Sequence, residues 1–245
     1  MKWYNADLHI HSVLSPCGDL DMSPQTVINA LLEKNIEIFA ITDHNRMLNF
    51  KAYYHKALEA GLTCLMGVEI QTQEEIHILA FFDTHREGYA FQNELYDSLL
   101  PMKNDPDYFG DQVIIGENDE IIGFEEKALI NSSMWTLDET YEKVTEYNGF
   151  CYPAHEDATS FSILAQLGFM PEYPDFKAIG ISAKCNVENL FTKYPALKKY
   201  TLVRSSDAHY PQDIASGYSK FYINEPTVAE IRKACTGLDG RKIIS

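Results

Sequence analysis

The sequence predicts an α/β fold, a single barrel-like domain with a parallel sheet, and three observations predict it. Short apolar runs of the kind found in strands buried on both faces alternate with segments of helical period along most of the chain. Several of these runs stop abruptly in histidines and acids, as expected where functional side chains collect at the carboxyl ends of parallel strands. A length of 245 residues, 45% of them hydrophobic and 12% aromatic, buries a full core and suits one α/β barrel without a second domain.

Taken in order, Asp7-Leu8-His9-Ile10-His11-Ser12 reads as the first strand. Side chains two apart on a strand leave by one face, roughly 6.5 Å apart at Cα, so His9 and His11 converge while Leu8 and Ile10 take the opposite face. Ser12 to Met22 is a polar loop, and Ser23-Pro24 supplies an N-cap with proline at the first helical position for a helix to about Lys34. Ile36 to Thr42 is a buried strand ending in Asp43-His44-Asn45. A helix from Phe50 to Ala60 stops at Gly61, and Leu62 to Ile70 is the next strand, closing with Gly67-Val68-Glu69. Strand, helix, strand, helix, strand calls for a right-handed parallel sheet. Ile76 to Phe82 is a further strand with His77 near its start.

From about Arg86 to Lys127 the rhythm breaks. A helix over Tyr89 to Leu100, a turn at Lys103-Asn104-Asp105-Pro106 and a hairpin of Val113-Ile114-Ile115 with Ile121-Ile122 read as an insertion on the barrel. The pattern resumes with a helix from Leu137 to Tyr147, a strand from Phe150 to Ala154 and His155-Glu156-Asp157. Short helices near Phe161 to Leu167 and Val187 to Tyr194 flank a strand at Ala178 to Ser182. The strand Thr201 to Arg204 runs into Ser205-Ser206-Asp207-Ala208-His209, and Phe221 to Ile223 and a helix from about Pro226 to Cys235 follow. Gly116 and Gly123 are turn glycines, and neither a P-loop nor a G-x-G-x-x-G pattern occurs.

A formal charge of −16 sets up a field that repels polyanions, so small substrates are expected and long nucleic acid is not. Five scattered cysteines without a C-x-x-C pair argue against a disulfide framework or zinc ribbon and for a cytoplasmic protein. No apolar run approaches the ~20 residues needed to span a bilayer, so no membrane role is expected.

Two neutral imidazoles on one strand face are a common start to a zinc, manganese or iron site, although the pair alone is equally compatible with half-buried histidines bonded to backbone. The wider set bears on that choice. Six of the eight histidines and two acids lie at strand ends or beside them: His9, His11, His44, His77, His155, His209, Glu69 and Asp207. Brought to one barrel mouth without metal, such a cluster would charge or stay poorly paired, either of which costs stability, so the set points to metal.

Asp7 to Ser12, Ile41-Thr42-Asp43-His44-Asn45, Gly67-Val68-Glu69, Ile76-His77-Ile78-Leu79, Pro153-Ala154-His155 and Ser206-Asp207-Ala208-His209 together resemble the ordered motifs of the PHP (polymerase and histidinol phosphatase) family. The resemblance covers nearly the whole chain, taken as one PHP barrel domain over 1–245. It implies a distorted (β/α)7 TIM-like barrel with a trinuclear metal site and, usually, phosphoester hydrolysis. Carried over by position, His9, His11 and Asp207 would bind a first metal, Glu69 would bridge it to a second held by His77 and His155, and His44 and His209 would hold a third. The family normally adds a His or Asp shortly after the His-x-His pair. Here Pro16 stands five residues after His11, leaving Cys17 as thiolate or Asp19 as candidates. Asp7 and Asp43 are expected to orient ligands without touching metal. Glu69, Asp207 and His209 are the residues expected at the reacting centre.

Two or three divalent ions (Zn2+, Mn2+ or iron) would stabilise the charge on phosphoryl oxygens and turn a bound water into the attacking hydroxide. The expected activity is therefore metal-dependent hydrolysis of a small phosphate monoester or short nucleotide phosphodiester. The alternatives are C–N or carboxyl-ester hydrolysis on the same metals, or a non-catalytic metal-stabilised module that binds a partner. Arg46 and Lys184 are candidates for binding substrate phosphate, and His85 is an outside candidate for the pocket.

Overall fold

The computed structural model describes residues 1–245. The strand β1 (Lys2–Ile10) leads to the helix α1 (Pro24–Glu33), β2 (Ile38–Ile41), α2 (Phe50–Ala60), β3 (Thr63–Gln71) and β4 (His77–Phe82). Next come α3 (His85–Ser98), α4 (Pro106–Phe109), the hairpin β5 (Val113–Ile115) and β6 (Ile121–Phe124), α5 (Leu137–Glu146), β7 (Phe150–Pro153) and α6 (Ile163–Leu167). The chain continues through β8 (Ala178–Ile181), α7 (Val187–Lys193), β9 (Thr201–Arg204), β10 (Ser219–Ile223), α8 (Val228–Thr236) and β11 (Lys242–Ile244).

One sheet runs in the order β11-β10-β1-β2-β3-β4-β7, and β8 and β9 form a separate parallel pair. Backbone contacts join the two into a distorted barrel. The amide of Glu156 donates to Gly180 O at 2.8 Å, linking the end of β7 to β8. Gly180 is required there, since a Cβ would meet the backbone of Pro153, Ala154 and His155 at 3.1 Å. On the other side the His11 amide donates to Ala208 O at 2.9 Å, joining the chain beyond β9 to the end of β1. Asp7 reinforces this seam by accepting from the amides of Ser206 and Ala215, both at 3.0 Å. A core of Leu8, Ile38, Ala40, Leu79, Phe81, Tyr152 and Val203 fills the barrel. A larger core, including Phe39, Phe50, Tyr53, Phe82 and Phe91, lies between strands and helices.

Three features depart from the expected regular parallel sheet. β4 is antiparallel to both β3 and β7, because the five residues between Gln71 and His77 are too few for a crossover, which needs a dozen or more. His77 therefore reaches the mouth from the amino end of its strand. β1 carries one extra residue against β2, since Asp7 pairs with Phe39 and Ile10 with Ile41. Leu8 and Ile10 consequently fall into different cores instead of sharing a face, and His9 and His11 are re-aimed toward the mouth. β1 also starts earlier than expected because Lys2 to Ala6 pair with β10, which runs antiparallel to both β1 and β11. Of the expected insertion, α3 belongs to the barrel wall, with Phe91 and Leu95 fully buried. The hairpin is clamped by Asn49, whose side chain donates to Val113 O at 3.0 Å and accepts from the Ile115 amide at 2.9 Å. No helix is long and apolar enough to cross a membrane.

Candidate metal centre

The mouth of the barrel gathers side chains from both ends of the chain. His9 and His11 arrive from the bulged end of β1, His44 from just after β2, Glu69 from β3 and His77 from the start of β4. His155 follows β7, and Asp207 and His209 follow β9. His155 and Asp207 have φ of 31° and 53°, so two of these strand exits are bent into the left-handed region that functional sites often hold.

Glu69 is the hub. Its Oε1 lies 3.2 Å from His9 Nε2, 3.0 Å from His77 Nδ1 and 3.3 Å from His155 Nε2, and its Oε2 lies 3.3 Å from both His11 Nε2 and His44 Nδ1. Asp207 Oδ1 adds contacts of 3.1 Å to His9 and 3.3 Å to His11. His9 Nε2 and His11 Nε2 stand 3.1 Å apart. The donor atoms of His11, Cys17, His44 and His209 lie within 4.8 Å of one another, as do those of His9, His11 and Glu69 and those of His44, Glu69 and His77. Cys17 is exposed as a residue, but its thiol faces this cluster and burial pushes it up to about 11.

Whether these groups suit metal ions can be judged from their spacing and their protons. Two nitrogens each 2.0–2.1 Å from one tetrahedral zinc lie ~3.4 Å apart, close to the separations around Glu69. His44 Nδ1 and Glu69 Oε1 are enclosed and have no aligned hydrogen-bond partner, as expected for lone pairs aimed at a common cation. Burial opposes ionisation of Glu69, but His77 and His9 outweigh it and hold the carboxyl well below its usual range. Burial likewise opposes ionisation of Asp207, and His9 and His11 overcome it. Burial drives His44 well below the usual imidazole value, and burial with neighbouring His11 lowers His209 to about 4. Burial opposes charge on His11 and His155 as well, but hydrogen bonds from His11 to Asp207 and Glu69 and from His155 to Glu69 outweigh it, raising His11 well above and His155 above the usual imidazole value. A divalent cation bound among ionised carboxylates would take the place of those protons. The residues present fit a metal centre.

A surrounding layer fixes the ligands. Asp43 accepts from the Ser12 amide and hydroxyl at 2.7 and 2.6 Å and from Ser15 Oγ at 2.7 Å, and Ser15 Oγ bonds His11 Nδ1 at 2.9 Å. Asp43 thus orients His11 through one hydroxyl, while Asp7 acts on the barrel seam. Gln71 Oε1 bonds His77 Nε2 at 3.1 Å, which leaves Nδ1 facing Glu69. Ser15, Gln71 and Phe161 are absent from the residues singled out in the sequence, since common residue types show such roles only by their neighbours. Phe161 has φ 57°, a strain of about 1–3 kcal/mol for a bulky residue, and its ring stacks on His77 at 4.6 Å and 14°. The cleft beside the cluster has a volume of about 330 Å3, with Ile130, Ser160, Phe161 and Ser182 completing its wall.

Other candidates lie elsewhere. The Arg46 guanidinium sits 3.9 Å over the Tyr96 ring of α3 and 3.7 Å from Glu125 just after β6, and is absent from the cleft wall. Lys184 lines a neighbouring groove of about 460 Å3 that meets the cleft at Ala158. Asp19 turns away, its carboxylate accepting from the Asp21 amide. His85 packs edge-on against Phe50 and Tyr54. Glu156, pushed up to about 7 by burial, accepts from the amides of Ile163 and Leu164 at the start of α6.

With this geometry in hand, comparison with known proteins gives a family. The model of the PHP domain matches residues 7–157. The chain belongs to the PHP domain family. No curated protein sequence matches it significantly. Among solved structures it is similar to the lesion-specific endonuclease PfuEndoQ from Pyrococcus furiosus, at 19% identity and a TM-score of 0.76 over 98% of this chain and 57% of that one. An endonuclease Q complex with a 27-mer duplex bearing an abasic lesion at the active site matches at 17% identity and a TM-score of 0.71, over 98% and 58% of the respective chains. The PHP chain therefore spans less than two thirds of the length of these endonucleases. A third structure, provisionally named a metal-dependent phosphoesterase, from Bifidobacterium adolescentis, matches at 17% identity and a TM-score of 0.56, over 84% of this chain and 88% of that one.

The endonuclease complex corrects the expectation that net charge disfavours long nucleic acid, because a protein that shares this fold over 58% of its own length is seen bound to a 27-mer duplex. A sum of −16 averages over the whole surface, whereas a ligand meets the local field, and the groove next to the cleft balances Lys184 and Lys193 against Glu156 and Asp157 instead of sharing the overall acidity.

Proposed function

We propose that this PHP protein is a metal-dependent phosphoesterase that hydrolyses phosphoesters of nucleotides, nucleic-acid phosphodiesters included. The observation that carries the reading is the convergence of six imidazoles with Glu69 and Asp207 beside one cleft. Divalent cations held by these residues, with Cys17 near His44 and His209, would supply positive charge for the phosphoryl oxygens and acidify a water for attack. Glu69, ionised and enclosed, spans the two halves of the imidazole set with its two oxygens. Asp207, a third exposed, presents Oδ1 to His9 and His11 on the open side, where substrate arrives. His209 donates Nδ1–H to Asp207 O at 2.9 Å, which leaves the Nε2 lone pair for a cation, and burial with neighbouring His11 lowers the ring to about 4. The lysines of the neighbouring groove give a continuing anionic chain somewhere to lie.

The test is hydrolysis of p-nitrophenyl phosphate, bis(p-nitrophenyl) phosphate and an abasic duplex with added Mn2+ or Zn2+, alongside metal analysis of protein purified without chelator. Turnover that falls at least 1,000-fold (about 4 kcal/mol) in His9→Ala and Asp207→Ala is expected. Bound metal with cleavage of an anilide or carboxyl ester and of no phosphoester would overturn the reading in favour of carbonyl chemistry. Bound metal with no turnover on any substrate would favour a partner-binding module.

A further inference from the structure

Phe161 is the residue of the cleft whose presence the metal centre does not account for. A Gly or Asn would satisfy its left-handed backbone without strain, and the residue remains 36% exposed, so core burial does not explain a phenylalanine here. It is nonetheless held from two directions. Its carbonyl accepts from the His77 amide at 2.8 Å, and one ring face stacks on the His77 imidazole. Phe161, Ile130 and Gln71 line both the cleft and a neighbouring cavity of about 590 Å3, so an aromatic and an aliphatic side chain stand with one amide at the boundary between the two. The neighbouring cavity holds Gln73, Glu74, Glu75 and Asn131 and neither lysine nor arginine. Carboxylates without cations repel further phosphate and favour a flat, neutral group bearing N–H donors.

We infer that Phe161 is a stacking platform for a nucleobase attached to the scissile phosphate, making it a specificity-determining residue of this site. The inference rests on the phosphoesterase reading for its phosphate end and on Phe161 for its ring end. A base stacked on Phe161 lies against the ring already packed on His77, which sets its phosphate close to Glu69 and Asp207. The anionic continuation of the substrate then has the groove that meets the cleft at Ala158, where Lys184 and Lys193 stand with Glu156 and Asp157.

The test compares adenosine 5′-monophosphate with ribose 5-phosphate, which has the same phosphate and sugar without the ring. Kd is measured by calorimetry on the protein as purified with its metal, and kcat/KM by phosphate release. Wild type is expected to prefer the adenosine compound by at least tenfold (about 1.4 kcal/mol), the order seen for base stacking on aromatic side chains. Phe161→Leu should bring that ratio below about twofold, and Phe161→Trp should restore it. A ratio that survives Phe161→Leu, with both ligands weakened alike, would show that Phe161 acts only by packing His77 and would overturn the inference, as would a wild type without preference. Absence of turnover on either compound would count against the phosphoesterase reading, while the binding ratio would still decide the role of Phe161.

Discussion

Ser15→Ala is the most discriminating single change to the metal centre, because Ser15 touches no candidate cation site and joins three groups that do the holding. Its Oγ bonds His11 Nδ1 at 2.9 Å and Asp43 Oδ1 at 2.7 Å and accepts from the His44 amide at 3.3 Å. Removing it strands His11 Nδ1 in a residue with no exposed surface and leaves Asp43 Oδ1 with the Ser12 amide alone. A stranded buried polar atom costs about 1–3 kcal/mol, and loss of a group that orients a metal-binding histidine typically costs 10–100-fold in metal affinity, about 1.4–2.7 kcal/mol. In a chain of this length each kcal/mol lowers the melting point by roughly 2–4 °C. Ser23→Ala, which removes the N-cap hydroxyl of α1 that accepts from the Thr26 amide, is the control. It should lose about 1 kcal/mol of stability and none of the metal affinity. Titration with Zn2+ against a fluorescent chelator, paired with thermal melts, separates the two. Equal melting losses in the two variants with unchanged metal affinity in Ser15→Ala would refute the argument that Asp43 orients His11 through Ser15.

Two further outcomes follow from the fold. Gly180→Ala places a methyl 3.1 Å from backbone atoms of Pro153, Ala154 and His155 that cannot step aside, so a loss of about 1–3 kcal/mol in chemical denaturation is expected, together with weaker metal binding because His155 is displaced. Glu230 is held down to about 2 chiefly by its paired hydrogen bonds from Arg241, at 2.8 and 2.9 Å. A depressed folded-state pKa contributes stability that is present above about 4.5 and lost as pH falls toward 2. After screening by solvent this amounts to about 1 kcal/mol, and denaturation curves of Glu230→Gln between pH 6 and 3 should show a correspondingly smaller fall than wild type.

Much of this architecture can be read from residue pattern alone where local chemistry decides it. Ser23-Pro24 starts α1, and Gly61, with φ 73°, ends α2 after the full Phe50 to Ala60 span. The hairpin over 113–124 follows from its turn residues. The eight histidines and acids at strand exits do meet, because strand ends in a barrel share one rim. What pattern could not supply depended on partners distant in sequence. The extra residue in β1 exists only relative to β2, and the pairing of β11 with β10 leaves no periodic signature in three residues. Ser15 and Gln71 are ordinary polar residues until His11 and His77 are placed beside them. Arg46 drew attention by standing two residues after His44, yet Tyr96 on α3 and Glu125 after the hairpin claim it. The charge argument erred for a related reason, since a total carries no information on where the charges lie.

The seam between Asp7 and the amides of Ser206 and Ala215 spans 199 and 208 residues of chain. Contacts that distant cannot form from a local stretch of chain and need both ends of the polypeptide in place. Asp207 and His209 stand on one side of that seam and His9 and His11 on the other. A cation gripped by both sides would act as a clasp on the barrel, tying the lifetime of the closed molecule to metal supply as well as to its apolar interior.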